Sequence, residues 1–132
     1  MPNPSPSNAI AEVDVTLRDG RSVHLRSLRA ADGIDIVGSA IAVCASDRTS
    51  CEFAITVASA FAGAGLATTL MKTLIDEAGR RGLKEMEGFV LTQNQAMLRL
   101  ARRLGFRIER QPDDATVRIC RMTLTSDPRL PS

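Results

Sequence analysis

The sequence contains no tryptophan and no tyrosine, and aromatic residues make up only 3% of its 132 residues. Proteins that bind single-stranded nucleic acid stack bases on aromatic side chains, and binding to duplexes needs a strongly basic surface. The formal net charge is only +2, so no nucleic-acid partner is predicted. No apolar run approaches the roughly 20 residues that cross a bilayer, and no membrane partner is predicted. The start, MPNPSPSNAI, has no basic region followed by an apolar stretch, so no secretory signal is predicted.

Cysteine and histidine are also scarce. Cys44, Cys51 and Cys120 form no Cys-x-x-Cys pair, and His24 is the single histidine. Zinc sites need several such ligands at short spacing, so we predict no metal site. An odd number of cysteines without paired spacing is typical of reduced thiols, and we predict a cytoplasmic protein. His24 lies in an alternating segment and is predicted to be an exposed strand residue rather than a catalytic one.

The length suits one domain, which we place at residues 12–125. Residues 1–11, rich in proline and serine, and residues 126–132 are predicted to be disordered tails. Alternating hydrophobicity on both sides of Asp19-Gly20 predicts a hairpin with a two-residue turn. Strands are predicted at 13–18, 22–28, 34–45, 51–58 and 84–91 and in the segments FRIERQ and TVRICRMTL, with helices at 66–81 and 93–104.

The order of these elements predicts an α/β fold, or α+β in some schemes. A strand, a helix and a further strand joined by a tight first turn form a parallel pair with a right-handed crossover. The third and fourth strands, and the last two, are predicted to be antiparallel hairpins. The sheet is therefore expected to be mixed and mostly antiparallel, with one parallel pair.

A loop of small residues, FAGAGLATT, leads directly into the first predicted helix. Gly63 and Gly65 leave no Cβ in the way of a ligand, and a helix N-terminus presents unpaired N–H groups. Together these features are typical of a cradle for an anion, usually phosphate. A Rossmann loop would need glycine where Thr68 stands, and the Gly-Lys-Ser/Thr of a Walker A loop is absent. A tight strand-to-helix turn without any ligand is the alternative.

Two segments resemble the signatures of the GNAT acetyltransferases. The stretch from Ile55-Thr56-Val57 through Ala62-Gly63-Ala64-Gly65-Leu66-Ala67 is similar to their acetyl-CoA-binding loop and the strand before it. The stretch NQAMLRLARRLGF, which starts at Asn94, is similar to their second signature. The closest likeness is to the GNAT domains of bacterial Pat-type protein-lysine acetyltransferases. The resemblance implies the GNAT-like fold, in which the parallel fourth and fifth strands splay apart and the pantetheine arm of coenzyme A lies between them.

The same resemblance implies roles for particular residues, with acetyl-CoA as co-substrate. Glu52 matches the glutamate that serves as general base in Pat-type domains, and Glu87 is the fallback. A base is useful because a lysine of pKa about 10.4 is almost entirely protonated at pH 7. The N–H of Val57 is predicted to hold the oxyanion. The predicted cofactor-binding residues are Ile55, Val57, Ala62, Gly63, Ala64, Gly65, Leu66, Ala67 and Asn94, the last of which is also a good helix N-cap.

Three departures from the family pattern stand out. Ala62 replaces the usual Gln or Arg of the loop, and Ala101 replaces a tyrosine that protonates the leaving thiolate in many members. Residues 28–33 directly bridge a gap that normally holds two helices and a strand, which shape the acceptor side. An uncovered sheet face would expose apolar side chains, and we expect a homodimer to bury it.

The predicted function is N-acetyl transfer from acetyl-CoA to an amine, with a protein lysine as the acceptor class implied by the resemblance. The shortened acceptor side predicts slow turnover. The alternatives are a non-catalytic or weakly active acyl-CoA-binding regulatory module that has lost its acceptor half, and a degenerate fragment held by a partner. A basic cluster is predicted to be a solvated face, with coenzyme A phosphates as a second use; its members are Arg99, Arg102, Arg103, Arg107 and Arg110.

Overall fold

The computed structural model describes residues 12–27, 36–47 and 49–124. The two predicted tails, the link at 28–33 and the predicted strand residues 28 and 34–35 lie outside this part of the chain. The strands are β1 (Val13–Thr16), β2 (Ser22–Leu25), β3 (Gly38–Cys44), β4 (Ser50–Val57), β5 (Glu85–Leu91), β6 (Arg107–Arg110) and β7 (Val117–Thr123). The helices are α1 (Leu66–Arg80) and α2 (Gln95–Leu104), and a short 3₁₀ turn spans Ser59–Phe61.

The main sheet has five strands in the order β3-β4-β5-β7-β6. β4 and β5 are parallel, and every other neighbouring pair is antiparallel. The predicted mixed sheet with a single parallel pair is therefore confirmed, as are the hairpins of the third and fourth strands and of the last two. α1 connects the parallel strands, as the crossover rule requires.

The first hairpin differs from its prediction. β1 pairs with β2 from Val13–Leu25 to Thr16–Ser22, and the two strands form a sheet of their own. The turn is not the predicted two-residue one. Residues 17–21 form a wider loop, in which the Leu17 N–H donates a hydrogen bond to the Arg21 carbonyl at 2.8 Å. The Arg18 N–H bonds the distant Ala64 carbonyl instead of continuing the ladder, which ends β1 early.

The core lies on one face of the main sheet. Alternate residues of β4 and β5, such as Phe53 and Met86, are buried there. Buried residues of α1 and α2, such as Met71 and Ala101, belong to the same cluster, so both helices cover this face. A second cluster around Leu66 and Leu70 joins the start of α1 to the β1–β2 hairpin.

No described helix covers the opposite face, which we call the open face. Exposed apolar side chains lie on it: Val43 is 64% exposed, Leu91 49%, Phe89 47% and Ile41 43%. An apolar surface at this position was expected from the shortened acceptor side. Because cross-strand partners share a face, the register assigns to the open face Ile41, Val43, Glu52, Ala54, Thr56, Glu85, Glu87, Phe89, Leu91, Ile119, Arg121, Arg107 and Glu109.

Gly88 on β5 leaves room for the ring of Phe53 to pack against the sheet. A Cβ added there would overlap the ring of Phe53, which in turn packs on Phe106 with ring centroids 5.3 Å apart. We expect Gly88→Ala to lower the free energy of unfolding by about 1–3 kcal/mol, as overpacking does in well-filled cores. Urea denaturation measures this. Gly82→Ala is a poor control because of its positive φ, so Ala54→Gly on the open face serves for comparison.

Candidate active site

The parallel strands β4 and β5 separate partway along their length. Their pairing covers only Ser50–Glu85, Cys51–Met86 and Glu52–Glu87, although β4 continues to Val57 and β5 to Leu91. A gap therefore opens beyond Glu52 and Glu87. This is the divergence that the family resemblance led us to expect.

The backbone of β4 directs polar groups into this gap. The Ala58 N–H donates to the Val37 carbonyl of the adjoining segment at 2.8 Å. This bond makes Ala58 part of a hydrogen-bonded pair. Hydrogen-bonded and non-hydrogen-bonded pairs alternate along an antiparallel ladder, so Val57 and Ile55 belong to non-hydrogen-bonded pairs. Their N–H and C=O groups therefore point away from β3 and toward β5. Because β5 has already diverged, these groups are available to an amide-bearing ligand.

The glycine loop stands at the end of β4 and begins α1. Gly63 and Gly65 have φ values of +78° and +90°, in the left-handed region that favours glycine. The side chains of Ala64 and Leu66 are buried in the second core cluster, so these residues can meet a ligand only through their backbone. In the described part of the chain, the backbone N–H groups that donate to no protein acceptor include those of Gly63, Gly65, Leu66, Ala67 and Thr68. The loop thus has the geometry of an anion cradle.

The β1–β2 hairpin is fastened to this loop, which the sequence did not indicate. The Arg18 guanidinium donates to the Gly63 carbonyl at 3.0 Å, and its Nε lies 3.1 Å from where a Cβ of Gly65 would stand. Arg21 donates to the Ala60 carbonyl at 2.8 Å and lies over the ring of Phe61. These contacts join residues about forty positions apart, and no local sequence signal exists for such a pair.

Asn94 begins α2 just beyond the end of β5. Its side-chain oxygen accepts from the Met97 N–H at 3.1 Å, so the N-cap role is confirmed. Its side-chain NH₂ group is not used in that bond and is exposed at the same end of the sheet. The predicted contact with a cofactor remains a prediction.

Glu52 and Glu87 are direct cross-strand neighbours at the start of the gap. Both side chains point to the open face, and the predicted outward orientation of Glu52 is confirmed by its exposure between buried Cys51 and Phe53. Glu87 lies 3.9 Å from the Arg121 guanidinium. In the described structure Glu52 forms no ion pair and its side chain has no hydrogen-bond partner.

Other reactive groups of the described residues are poor candidates for chemistry. Burial raises the pKa of the Cys51 thiol to about 11, so this neighbour of Glu52 is not a thiolate at neutral pH. His24 is an exposed strand residue, as predicted, and its hydrogen bonds to Asp14 and then Glu12 raise its pKa. Ala101 is completely buried in the core.

The described residues contain no group of three His, Cys, Asp or Glu placed to hold a metal ion. Within the same residues, neither helix has the length and apolar character needed to cross a membrane.

The five arginines of the basic cluster are exposed on α2 and β6. Their contact with phosphates stays a prediction.

A strand pair that diverges beside a glycine loop at a helix start defines the class of acyl-CoA-dependent acyltransferase folds. The family model of the acetyltransferase (GNAT) family matches residues 5–106, and the chain belongs to this family.

Individual relatives agree with this assignment. An acetyltransferase from Pseudomonas aeruginosa is 41% identical over 78 residues, which are 59% of this chain and 42% of the relative. The chain therefore matches less than half of that protein's length. The GNAT domain of S. lividans PAT superposes with a TM-score of 0.66 at 19% identity, covering 93% of this chain and all of that domain. A putative acetyltransferase from Salmonella typhimurium, solved with acetyl-CoA, has a TM-score of 0.56 at 28% identity, covering 70% of this chain and 60% of that one.

Proposed function

We propose that this protein transfers an acetyl group from acetyl-CoA to an amine. The observation that carries the proposal is the gap between β4 and β5, which opens beside the glycine loop at one end and Glu52 at the other. Unpaired N–H groups at the loop suit the pyrophosphate of coenzyme A, and the free backbone of Ile55 and Val57 suits the amides of its pantetheine arm. The relative from Salmonella typhimurium, which carries acetyl-CoA, supports this choice of co-substrate.

The proposed reaction is direct transfer. The neutral amine attacks the thioester carbonyl carbon, a C–N bond forms, and the C–S bond breaks to release coenzyme A as a thiolate. Glu52 takes the proton that the amine loses, directly or through water. The Val57 N–H holds the negative oxygen of the tetrahedral intermediate. Since Ala101 offers no acid, water protonates the thiolate, whose pKa of about 8.5 makes it a fair leaving group.

The proposed acceptor is a lysine of a protein. The open face beside Glu52 is broad and carries exposed apolar side chains on both sides, from Val43 to Phe89. Such a surface suits contact with another macromolecule better than enclosure of a small amine. The sequence resemblance to Pat-type protein-lysine acetyltransferases favours this acceptor class. We also propose a cytoplasmic location, because the three cysteines are free thiols.

Arg18 is proposed to bind a phosphate of coenzyme A in place of the side chain missing at Ala62. Its guanidinium already lies beside Gly63 and Gly65. We expect Arg18→Gln to weaken acetyl-CoA binding roughly threefold to fivefold, the size of one exposed charge pair, with a smaller loss at high salt. Calorimetric titration measures this. Arg21→Gln is the matched control, because it also removes a hairpin-to-loop hydrogen bond but leaves Gly65 untouched; equal losses in both variants contradict a phosphate contact.

A second candidate is a regulatory module that binds acyl-CoA with little or no transfer. The exposed apolar residues of the open face favour it, because they occupy the side where the family's additional helices would shape an acceptor pocket. A homodimer that buries these residues is proposed with it.

One experiment separates the two candidates. Calorimetry with acetyl-CoA is followed by a transfer assay on lysine peptides, and light scattering reports the oligomeric state. Binding with turnover near 1 s⁻¹, as ordinary enzymes show, supports the enzyme, whereas binding with barely detectable transfer supports the module. Absence of heat at millimolar acetyl-CoA rejects both, and a monomer at high concentration rejects the dimer.

A further inference from the structure

The open face carries a cluster of charges around Arg121 on β7. The register places Arg121 directly beside Glu87 of β5 and Arg107 of β6. Its guanidinium lies 3.1 Å from Glu109 and 3.9 Å from both Glu85 and Glu87. Its Nε is buried without a directed hydrogen bond, so ion pairing is the main interaction of this group. Arg121 is thus within ion-pair distance of three carboxylates.

Glu52 is on the same face but outside this cluster. It is the direct cross-strand neighbour of Glu87, yet no cation lies within ion-pair distance of it in the described structure. The two glutamates at the start of the gap therefore differ in their partners: Glu87 lies 3.9 Å from the Arg121 guanidinium, and Glu52 has no ion-pair partner in the described structure.

We propose that Arg121 is a positioning residue that determines which of these two glutamates acts as the base. The proposal rests on the proposed function. By pairing with Glu87, Arg121 holds that carboxylate toward β7 and balances its charge. Glu52 is then the carboxylate at the start of the gap that has no cation beside it in the described structure, and it is free to accept the proton of the amine.

The other charged groups on the open face show why the positive charge of Arg121 matters for the choice between the two glutamates. β3, on one side of Glu52, presents only uncharged residues to the open face, namely Ser39, Ile41 and Val43. The charged groups on the other side, from β5, β7 and β6, are Glu85, Glu87, Arg121, Arg107 and Glu109. Loss of Arg121 would leave four carboxylates on this face, with Arg107 as the remaining cation among them.

The first test measures the pairing and needs no catalysis. In the folded protein, the Arg121 Nη–H₂ resonances in a ¹H–¹⁵N spectrum should shift in the E87Q variant and stay nearly unchanged in E52Q, because Glu87 lies beside Nη2 whereas Nε lies beside Glu109. A shift in E52Q as large as that in E87Q would mean that Arg121 is shared by both glutamates, which overturns the proposal.

The second test measures acetyl transfer against pH. R121Q should move the rise in rate to higher pH by about half a unit or more, because unbalanced carboxylates hinder ionisation of the base. R121K should stay close to wild type. R107Q is the matched control, since it removes one positive charge from the same face without contacting Glu87, and it should leave the profile in place.

The third test asks whether Glu87 becomes the base when it is released. The double variant E52Q/R121Q should transfer acetyl at least about fivefold faster than E52Q, since a second carboxylate is then unpaired beside the gap. A merely structural arginine would make the double variant slower, and that result overturns the proposal. If wild-type protein transfers no acetyl group, the proposed function fails, while the resonance test still decides whether Arg121 distinguishes the two glutamates.

Discussion

Replacing Glu52 with glutamine is expected to lower the rate of acetyl transfer by roughly 10²- to 10⁴-fold, the usual contribution of a general base. The change keeps the size of the side chain and removes its charge. Because Glu52 is exposed and forms no ion pair within the described structure, the substitution breaks no contact that supports the fold. Affinity for acetyl-CoA, measured by calorimetry, should change little, so the loss should appear in kcat.

Glu87→Gln is the comparison for this prediction, because Glu87 is the nearest carboxylate and occupies the matching position on β5. It should retain much more activity than Glu52→Gln. Equal rates for wild type and Glu52→Gln between pH 6 and pH 9 would exclude Glu52 as the base. A large loss in Glu87→Gln alone would move the role to Glu87.

Replacing Gly65 with valine is expected to weaken acetyl-CoA binding by more than about tenfold, equivalent to the loss of a charge-assisted hydrogen bond. Gly65 begins α1 at φ +90°, a conformation that β-branched residues strongly disfavour. A Cβ there would also stand 3.1 Å from the Arg18 Nε and displace this side chain. Both effects disturb the row of N–H groups proposed to hold the pyrophosphate. Calorimetric titration with acetyl-CoA measures the change.

Gly82→Val is the matched control for backbone strain. Gly82 has φ +82°, and an added Cβ would meet nothing within 4 Å. It follows α1 at the opposite end from the loop. The control should therefore lose stability without losing affinity for acetyl-CoA. If Gly65→Val binds as tightly as wild type, or if both variants lose affinity equally, the loop is not the cofactor site.

Elements that depend on neighbouring residues were predicted well. The first helix was predicted at 66–81 and found at Leu66–Arg80, because its apolar stripe and its stop signals are local. The second helix was predicted to begin at 93 and begins at Gln95, since Asn94 forms the cap itself. Errors of a few residues at strand ends have the same origin: periodicity reports which residues face the core, but not where the last ladder bond forms.

For the site as well, features set by local sequence could be predicted, and contacts between strands could not. The positive φ of Gly63 and Gly65 is a local requirement that only glycine meets easily, and the spacing of these residues predicted the loop. The outward orientation of Glu52 followed from alternation along one strand. Neither inference, however, shows which charged groups surround a side chain on the neighbouring strands.

The sequence by itself determined the order of the elements, the mixed sheet, the glycine loop and the family, because each depends on residues close together in the chain. Only the tertiary structure decided that the first hairpin forms a separate sheet fastened to the loop through Arg18, and that Arg121 pairs with Glu87 but not with Glu52. These contacts join residues 45 and 34 positions apart. They arise from the packing of whole elements against one another, and the register between strands, rather than any local pattern, determines which side chains meet.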